Sequence, residues 1–179
     1  MGKKYQELES RHIDFIKKQH MFFVATIGSN TTINISPKDT ENFKIIDKNT
    51  CIWRNLTGSG NETAAHLQEN NKMTIMFNSF DESPKILRLY GTATTYLSNS
   101  KQFKELDNHF IKDIGARQIF KMKINLVHIS CGFGVPLYQY QGKRDLIESW
   151  TSKKGIDGIK QYQKDRNQTS LDNKKIKIC

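Results

Sequence analysis

The chain has 179 residues, of which 36% are hydrophobic and 10% aromatic. This is enough for one domain whose core needs no disulfide or metal to hold it together. Lys and Arg outnumber Asp and Glu by 28 − 18 = 10, a surplus that permits an anionic partner such as nucleic acid. Most lysines are scattered among acidic residues, however, and only residues 174–177 form a local basic run. A lysine-rich solvated surface is therefore favoured over a nucleic-acid site.

Simple patterns argue against several classes of protein. No apolar run approaches the length of a membrane span, and residues 1–6 lack the apolar stretch of a secretory signal. We therefore expect a soluble, cytoplasmic protein with no membrane partner. The cysteines, Cys51, Cys131 and Cys179, show no metal-binding spacing, so we expect reduced thiols, with Cys131 as a buried packing residue. No catalytic triad, pair of acids or metal constellation is recognisable, and no catalytic residue or metal ligand is assigned.

In chain order, the first predicted element is an amphipathic helix over residues 5–19, where apolar side chains recur at helical spacing. Four short strands are predicted next, at 22–27, 31–36, 43–46 and 50–55. Pro37 is expected to end the second of them. The connections between these strands are so short that we expect an antiparallel meander.

The second half of the chain alternates strands with helices. The predicted elements are a helix at 61–70, strands at 72–78 and 85–97, a helix at 100–110 and a strand at 119–131. Gly91, in the middle of a long strand, indicates a bulge or a bend. Apolar stripes on either side of Gly155 predict C-terminal helices. Beyond Arg166 the composition is polar and basic, and this tail is expected to be loosely held.

These elements define the predicted fold class. About seven strands with short turns favour a mainly β architecture with peripheral helices (α+β), built on a small antiparallel barrel that is closed or partly closed. A single domain is predicted over residues 1–166, with an N-terminal helix and C-terminal helices. The polar basic tail occupies residues 167–179.

The most informative motif is the glycine-rich turn between a predicted strand and a predicted helix. It reads Thr57-Gly58-Ser59-Gly60-Asn61-Glu62-Thr63. The first N–H groups of a helix have no internal partners and lie at the positive end of the helix dipole, so such a turn attracts an anion such as a phosphate. The same residue types also form an ordinary capped turn, and the turn alone does not separate the two interpretations.

The neighbouring motifs decide between them, because the order of parts resembles the flavin-binding split-barrel proteins related to pyridoxamine 5′-phosphate oxidase. The resemblance covers residues 20–150. Its motifs are Ile35-Ser36-Pro37-Lys38, Trp53 on a strand, the Gly58–Thr63 turn, Ala64-Ala65-His66-Leu67, Arg88-Leu89-Tyr90-Gly91 and Ser130-Cys131-Gly132-Phe133-Gly134-Val135-Pro136.

The resemblance implies a split β-barrel that binds FMN and forms a homodimer, with the two flavins in clefts between the subunits. The cofactor-binding residues that it implies are Asn34, Ser36, Lys38, Ser59, Asn61, Glu62, Thr63 and Arg88. Two departures separate the chain from the true oxidases. Glu62 stands where those enzymes often have a basic residue, and the C-terminal arginine and histidine pair that seats their substrate is missing.

The function expected from this resemblance is that of an FMN-binding oxidoreductase, which transfers a hydride or electrons to a small-molecule substrate that the sequence does not identify. Three alternatives remain open at this point. The flavin could serve a non-catalytic binding or sensing module, haem or a deazaflavin could replace FMN, or a basic barrel could bind single-stranded nucleic acid.

Overall fold

The computed structural model describes residues 2–176. Met1 and residues 177–179, which include Cys179 and the end of the predicted tail, lie outside the described residues. The strands are β1 (Lys3–Tyr5), β2 (Met21–Thr26), β3 (Asn34–Asp39), β4 (Phe43–Asp47), β5 (Thr50–Leu56), β6 (Lys72–Asn78), β7 (Lys85–Leu97) and β8 (Ala116–Cys131). The helices are α1 (Ser10–Lys17), α2 (Glu62–Leu67), α3 (Lys101–Asp107) and α4 (Leu146–Arg166).

All eight strands belong to one sheet, in the order β3-β2-β6-β7-β8-β5-β4, with β1 paired to β8 outside this path. Every pairing is antiparallel. The sheet curls into a half-barrel, and the four helices pack around it. The mainly β split barrel predicted from the sequence is confirmed.

The long strands β7 and β8 bend at Gly91, where the register shifts between Tyr90 and Gly91. A Cβ atom at Gly91 would lie 1.9 Å from the carbonyl oxygen of Lys123 on β8. Only glycine allows so close an approach of the two backbones. The bulge predicted at this position is confirmed.

The core lies inside the curl and is rich in aromatic rings. In β2 buried and half-buried residues alternate, because successive side chains of a strand point to opposite faces of the sheet. Phe22 is fully buried and contacts Phe43, Trp53 and Phe77, with ring centroids 5.2, 6.0 and 5.7 Å away. Trp53 is 2% exposed and therefore belongs to the core.

The N-terminal prediction needs correction. Residues 3–5 do not begin a helix but form β1, where Tyr5 is the Cα partner of Val127 on β8. The helix α1 begins only at Ser10 and has 8 residues. An apolar residue whose spacing fits a helix can instead lie in a short strand. Three residues are too few for sequence periodicity to distinguish a helix from a strand.

The arrangement of the four short strands β2 to β5 also differs from the predicted meander. β2 pairs with β3 and β4 pairs with β5, but the two hairpins lie at opposite ends of the sheet path. β3 continues through Pro37 to Asp39 instead of ending before the proline. β3 is the edge strand, and an edge strand can leave one N–H position unpaired, which is why proline is tolerated there.

The C-terminal region contains one confirmed expectation and one error. Gly155 has φ 65° and breaks α4 into two helical parts, as the two apolar stripes predicted. Residues 167–176, by contrast, are not loosely held. Asn167 is fully buried and Ile176, 6% exposed, belongs to the main core. Ile176 supplies an apolar anchor that a polar average composition conceals.

Two smaller observations complete the fold. Cys131 is exposed, so the expectation that it is buried is wrong; it is the last residue of β8 and lies on the solvent side. Within residues 2–176, none of the helices combines the length and the apolar character needed to cross a membrane.

Candidate functional site

A large cleft opens beside the edge of the half-barrel. Its volume is about 1290 Å³, compared with roughly 300–1,000 Å³ for typical small-molecule sites. The cleft lies between β3, β5, the glycine-rich turn, the segment that follows α3, and the first part of α4. A cofactor and a second molecule would both fit in a cavity of this size.

Most of the residues predicted from the sequence line this cleft together, although they come from two separate parts of the chain. They are Asn34, Ser36, Lys38, Ser59, Asn61, Glu62 and Thr63. Arg88 is not among the lining residues. It lies on β7, opposite Met76 and His128, and its Nη1 donates to Ser130 Oγ at 3.0 Å.

Strand β3 supplies a polar wall. Asn34, Ser36 and Lys38 occupy alternate positions and are half-buried, whereas the residues between them are exposed, so the three side chains share one face. Ser36 Oγ donates to Asn34 Oδ1 at 3.0 Å, and Asn34 Nδ2 donates to Thr63 Oγ1 at 3.2 Å. This chain of hydrogen bonds links β3 to the start of α2.

The glycine-rich turn is held by its carbonyl groups. Arg117 Nη2 donates to the carbonyl of Gly60 at 2.8 Å, and Asn167 Nδ2 donates to the carbonyl of Gly58 at 2.9 Å. Among residues 2–176, the N–H groups of Gly58, Ser59 and Gly60 donate to no backbone carbonyl. A Cβ atom at either glycine would meet nothing within 4 Å, so the turn borders open space. Donors and space are thus both available for an anion.

Two of the predicted cofactor-binding side chains form hydrogen bonds with other parts of the protein. Asn61 is 4% exposed; its Nδ2 donates to the carbonyl of Asn167 at 3.1 Å, and its Oδ1 accepts from Gln118 Nε2 at 2.6 Å. Both carboxylate oxygens of Glu62 accept from the N–H of Leu171 at 3.1 Å. These contacts fix the turn against β8 and the C-terminal segment, which we define as residues 167–176.

Arg117 is the most unusual side chain of the cleft. It is 2% exposed, and neither its Nε nor its Nη1 has a hydrogen-bond partner. Burial lowers the pKa of Arg117 to about 10, so the group keeps its charge at neutral pH. A buried charge without a counterion is costly, and buried charges in proteins are normally paired. An anion that entered the cleft beside Arg117 would supply the missing partner.

Lys38 adds a second cation to the same place. Burial lowers the pKa of the Lys38 ammonium, and repulsion from Arg117 lowers it further. Lys38 Nζ lies 5.4 Å from the ring centroid of Trp53, so Lys38 makes a cation–π contact with this ring. Two cations that repel each other in a polar cleft favour binding of a group with more than one negative charge.

Two other basic groups of the cleft, Arg54 and Lys143, already have acidic partners. Arg54, 5% exposed, donates from Nη1 to Asp107 Oδ1 at 3.2 Å. Lys143 Nζ lies 2.6 Å from Glu148 and 2.7 Å from Glu41, and hydrogen bonds to these two carboxylates raise the pKa of Lys143. Lys143 thereby ties the segment before α4 to the rim of the cleft.

Sequence reasoning missed Arg117. The strand predicted at 119–131 began three residues too late, because β8 begins at Ala116. Ala116 and Gln118 pair with Leu56 and Asn55 at the end of β5, and the register shifts between these two pairs, at Arg117. A weak signal was present, because Arg117 and Gln118 directly precede an alternating apolar run, but a strand arginine alone does not indicate a buried charge.

Comparison with known proteins agrees with this geometry. A model of the family described as pyridoxamine 5′-phosphate oxidase matches residues 8–131. The pyridoxamine 5′-phosphate oxidase family protein ustO of Aspergillus flavus is 36% identical over 138 residues, which are 74% of this chain and 55% of the fungal one. The chain belongs to the pyridoxamine 5′-phosphate oxidase family. It spans just over half the length of this curated relative.

Solved structures show the family fold at lower identity. A protein of Lactobacillus delbrueckii, provisionally described as a pyridoxamine 5′-phosphate oxidase, superposes with a TM-score of 0.55 at 13% identity, covering 69% of this chain and 94% of that one. HupZ of Group A Streptococcus gives a TM-score of 0.53 at 20% identity, covering 66% and 91%. Identities this low establish a common fold and nothing further.

Proposed function

We propose that the cleft binds FMN, with the phosphate held between Arg117, Lys38 and the glycine-rich turn. The observation that carries this proposal is the buried guanidinium of Arg117, whose Nε and Nη1 have no partner. A phosphate oxygen can accept a strong, charge-assisted hydrogen bond from a guanidinium N–H that lacks a partner. The chain belongs to the pyridoxamine 5′-phosphate oxidase family and resembles flavin-binding proteins, so we propose FMN as the phosphate compound.

Further residues of the cleft are suited to the rest of the cofactor. The N–H groups of Ser59 and Gly60 supply donors for a phosphate, and the Asn34–Ser36 wall supplies polar groups next to it. Asn61 and Glu62 support the turn from behind rather than contacting the ligand. For Asn61 we therefore propose a supporting role in place of the direct cofactor contact that the resemblance implied.

The proposed activity is that of an oxidoreductase. Bound FMN supplies the hydride or electron transfer, and the protein supplies position, electrostatics and shelter from water. The cavity of about 1290 Å³ leaves room for a substrate beside the cofactor. The proposed substrate is a small molecule.

We also propose that two chains form a homodimer with FMN at the subunit interface, as the family resemblance implies. Arg88 does not line the cleft of its own chain. Its predicted role as a cofactor ligand therefore depends on a second subunit, and the same is true of any contact from the exposed segment around Phe133. A cytoplasmic location stays a prediction.

Turnover of the bound flavin tests the activity. The protein loaded with FMN is mixed with NADH or NADPH without oxygen, and the visible flavin band is followed before and after air is admitted. We expect the band to bleach faster than that of free FMN at the same concentration and to return with air. A protein that binds FMN but reacts no faster than free FMN with either donor would favour the non-catalytic sensing module instead.

A further inference from the structure

A cluster of metal-ligating groups lies behind the glycine-rich turn, and of its three residues only Glu62 has a role in the function proposed above. One ligand atom each from Glu62, His66 and Asp172 lies within 4.8 Å of the others. Glu62 and His66 are four residues apart on α2, so they share one face of the helix. Asp172 belongs to the C-terminal segment and reaches the cluster from a position more than 100 residues later in the chain.

The state of the His66 ring points to a ligand. His66 is 1% exposed, and its Nδ1 lies 3.0 Å from Thr26 Oγ1. The other ring nitrogen, Nε2, is buried without a hydrogen-bond partner. When Nδ1 donates to the threonine oxygen, Nε2 carries a lone pair directed away from that bond. Metal-binding histidines are commonly fixed in this way, by a hydrogen bond from the ring nitrogen that does not bind the ion.

The two carboxylates are held in place but carry no counterion. Asp172 Oδ2 accepts from the N–H and the Oγ1 of Thr32 at 3.1 and 3.0 Å. Glu62 accepts from the N–H of Leu171. Within residues 2–176 neither acid takes part in an ion pair, whereas the nearby Glu69 pairs with Lys174 at 3.0 Å. Two acids beside an unpartnered imidazole, without a basic residue between them, favour a cation.

We propose that Glu62, His66 and Asp172 bind a Zn²⁺ ion that fastens the C-terminal segment to α2. One imidazole nitrogen and two carboxylate oxygens are ordinary zinc ligands, and water would fill the fourth position. The spacing of the cysteines gave no reason to expect a metal site, and the ligands proposed here include no cysteine. The ion would stiffen the support of the cleft, since Glu62 is adjacent to both Asn61 and Thr63. The proposal does not depend on the flavin.

Calorimetric titration of the full-length, metal-free protein with Zn²⁺ tests the site. We expect one strong site per chain, and binding at least tenfold weaker in Asp172→Asn, because loss of a ligand costs at least as much as loss of an outer hydrogen-bond partner. Asn can still accept from Thr32, so this substitution preserves the local hydrogen bonds. The matched control is Asp157→Asn, which removes the same charge from an exposed position of α4 and should bind Zn²⁺ as the wild type does.

Thermal unfolding gives a second readout. Saturating Zn²⁺ should raise the Tm of the wild type and of the control variant but not that of Asp172→Asn, because an ion that binds only the folded state stabilises it. Equal Zn²⁺ affinity in wild type and Asp172→Asn would place the ion elsewhere, for example at the exposed Cys131, and would overturn the proposal. Absence of strong binding to the wild type would also overturn it. If Asp172→Asn does not fold, Glu62→Gln decides by the same comparison.

Discussion

Arg117 and Lys38 are the residues on which the proposed anion site depends. Arg117 donates to one carbonyl and has two buried nitrogen atoms without a partner, and Lys38 faces an aromatic ring. Burying an ion costs several kcal/mol even after the protein relaxes, so two cations without an acid destabilise the empty protein. Proteins retain such groups where a ligand offsets the cost, and perturbed titratable groups in a cleft are typical of functional sites.

Replacing Arg117 with methionine separates binding from folding. A hydrogen bond to a charged group contributes about 1.5–3 kcal/mol, so Arg117→Met should weaken FMN binding about 10- to 100-fold. The unfolding free energy of the flavin-free protein should not fall, because a buried unpaired charge is removed along with one bond to Gly60. Quenching of flavin fluorescence measures the affinity, and urea unfolding measures the stability.

Lys121→Met is the matched control for this experiment. Lys121 lies on the same strand, but it is exposed and does not line the cleft. Its loss should leave FMN affinity unchanged apart from a small effect of net charge. If Arg117→Met and Lys121→Met bound FMN equally well, the phosphate would not lie at Arg117.

At the residue scale, the sequence predicted the location of the cleft better than the role of each side chain. The polar face of β3 and the glycine-rich turn were predicted and lie together. Arg117 could not be identified as special, because its burial depends on the pairing of β8 with β5. The bonds of Asn61 to Asn167 and Gln118 depend on contacts distant in sequence, which local patterns do not reveal.

At the scale of elements, the register shift at Gly91, where Asn125 of β8 has no partner on β7, marks the bend of the two long strands. Gly91 lies where the two longest strands approach so closely that no other residue fits without movement of the backbone. The bend lets β7 and β8 wrap around the core while still pairing over nearly their whole lengths.

Gly91→Ala should therefore destabilise the protein strongly. The added Cβ would meet the carbonyl of Lys123 at 1.9 Å, and overpacking of this kind costs about 3 kcal/mol or more. Chemical denaturation measures the loss. Gly134→Ala provides the comparison, because a Cβ atom there meets nothing within 4 Å, and its stability should stay within about 0.5 kcal/mol of the wild type. Equal stability of the two variants would contradict the role assigned to the bulge.

The elements differ in how well the sequence predicted them. The predicted bounds of β6 and β7 agree with the structure. Apolar residues alternate within both strands, and clear turn residues flank them. β1 was missed because it is short and is stabilised by pairing with β8. The positions of the β2–β3 and β4–β5 hairpins in the sheet follow from the strands that come later. Strand order is a property of tertiary packing and is not encoded in local spacing.

At the scale of the whole molecule, the C-terminal segment completes the site. Asn167, fully buried, donates to Gly58 and accepts from Asn61, so the C-terminal segment forms the back of the glycine-rich turn. Ile176 anchors that segment in the main core. The half-barrel and this segment together hold the inner walls of the cleft in place.

Native mass spectrometry of the protein after loading with FMN tests the central claim most directly, because it reports the number of chains and the bound flavin together. One chain has a mass of 20.8 kDa. The account predicts a complex of two chains that carries two FMN molecules, and no comparable complex with riboflavin, which lacks the phosphate that Arg117 and Lys38 would bind. Chains that remain free of flavin after loading, or that hold riboflavin as well as FMN, would contradict it.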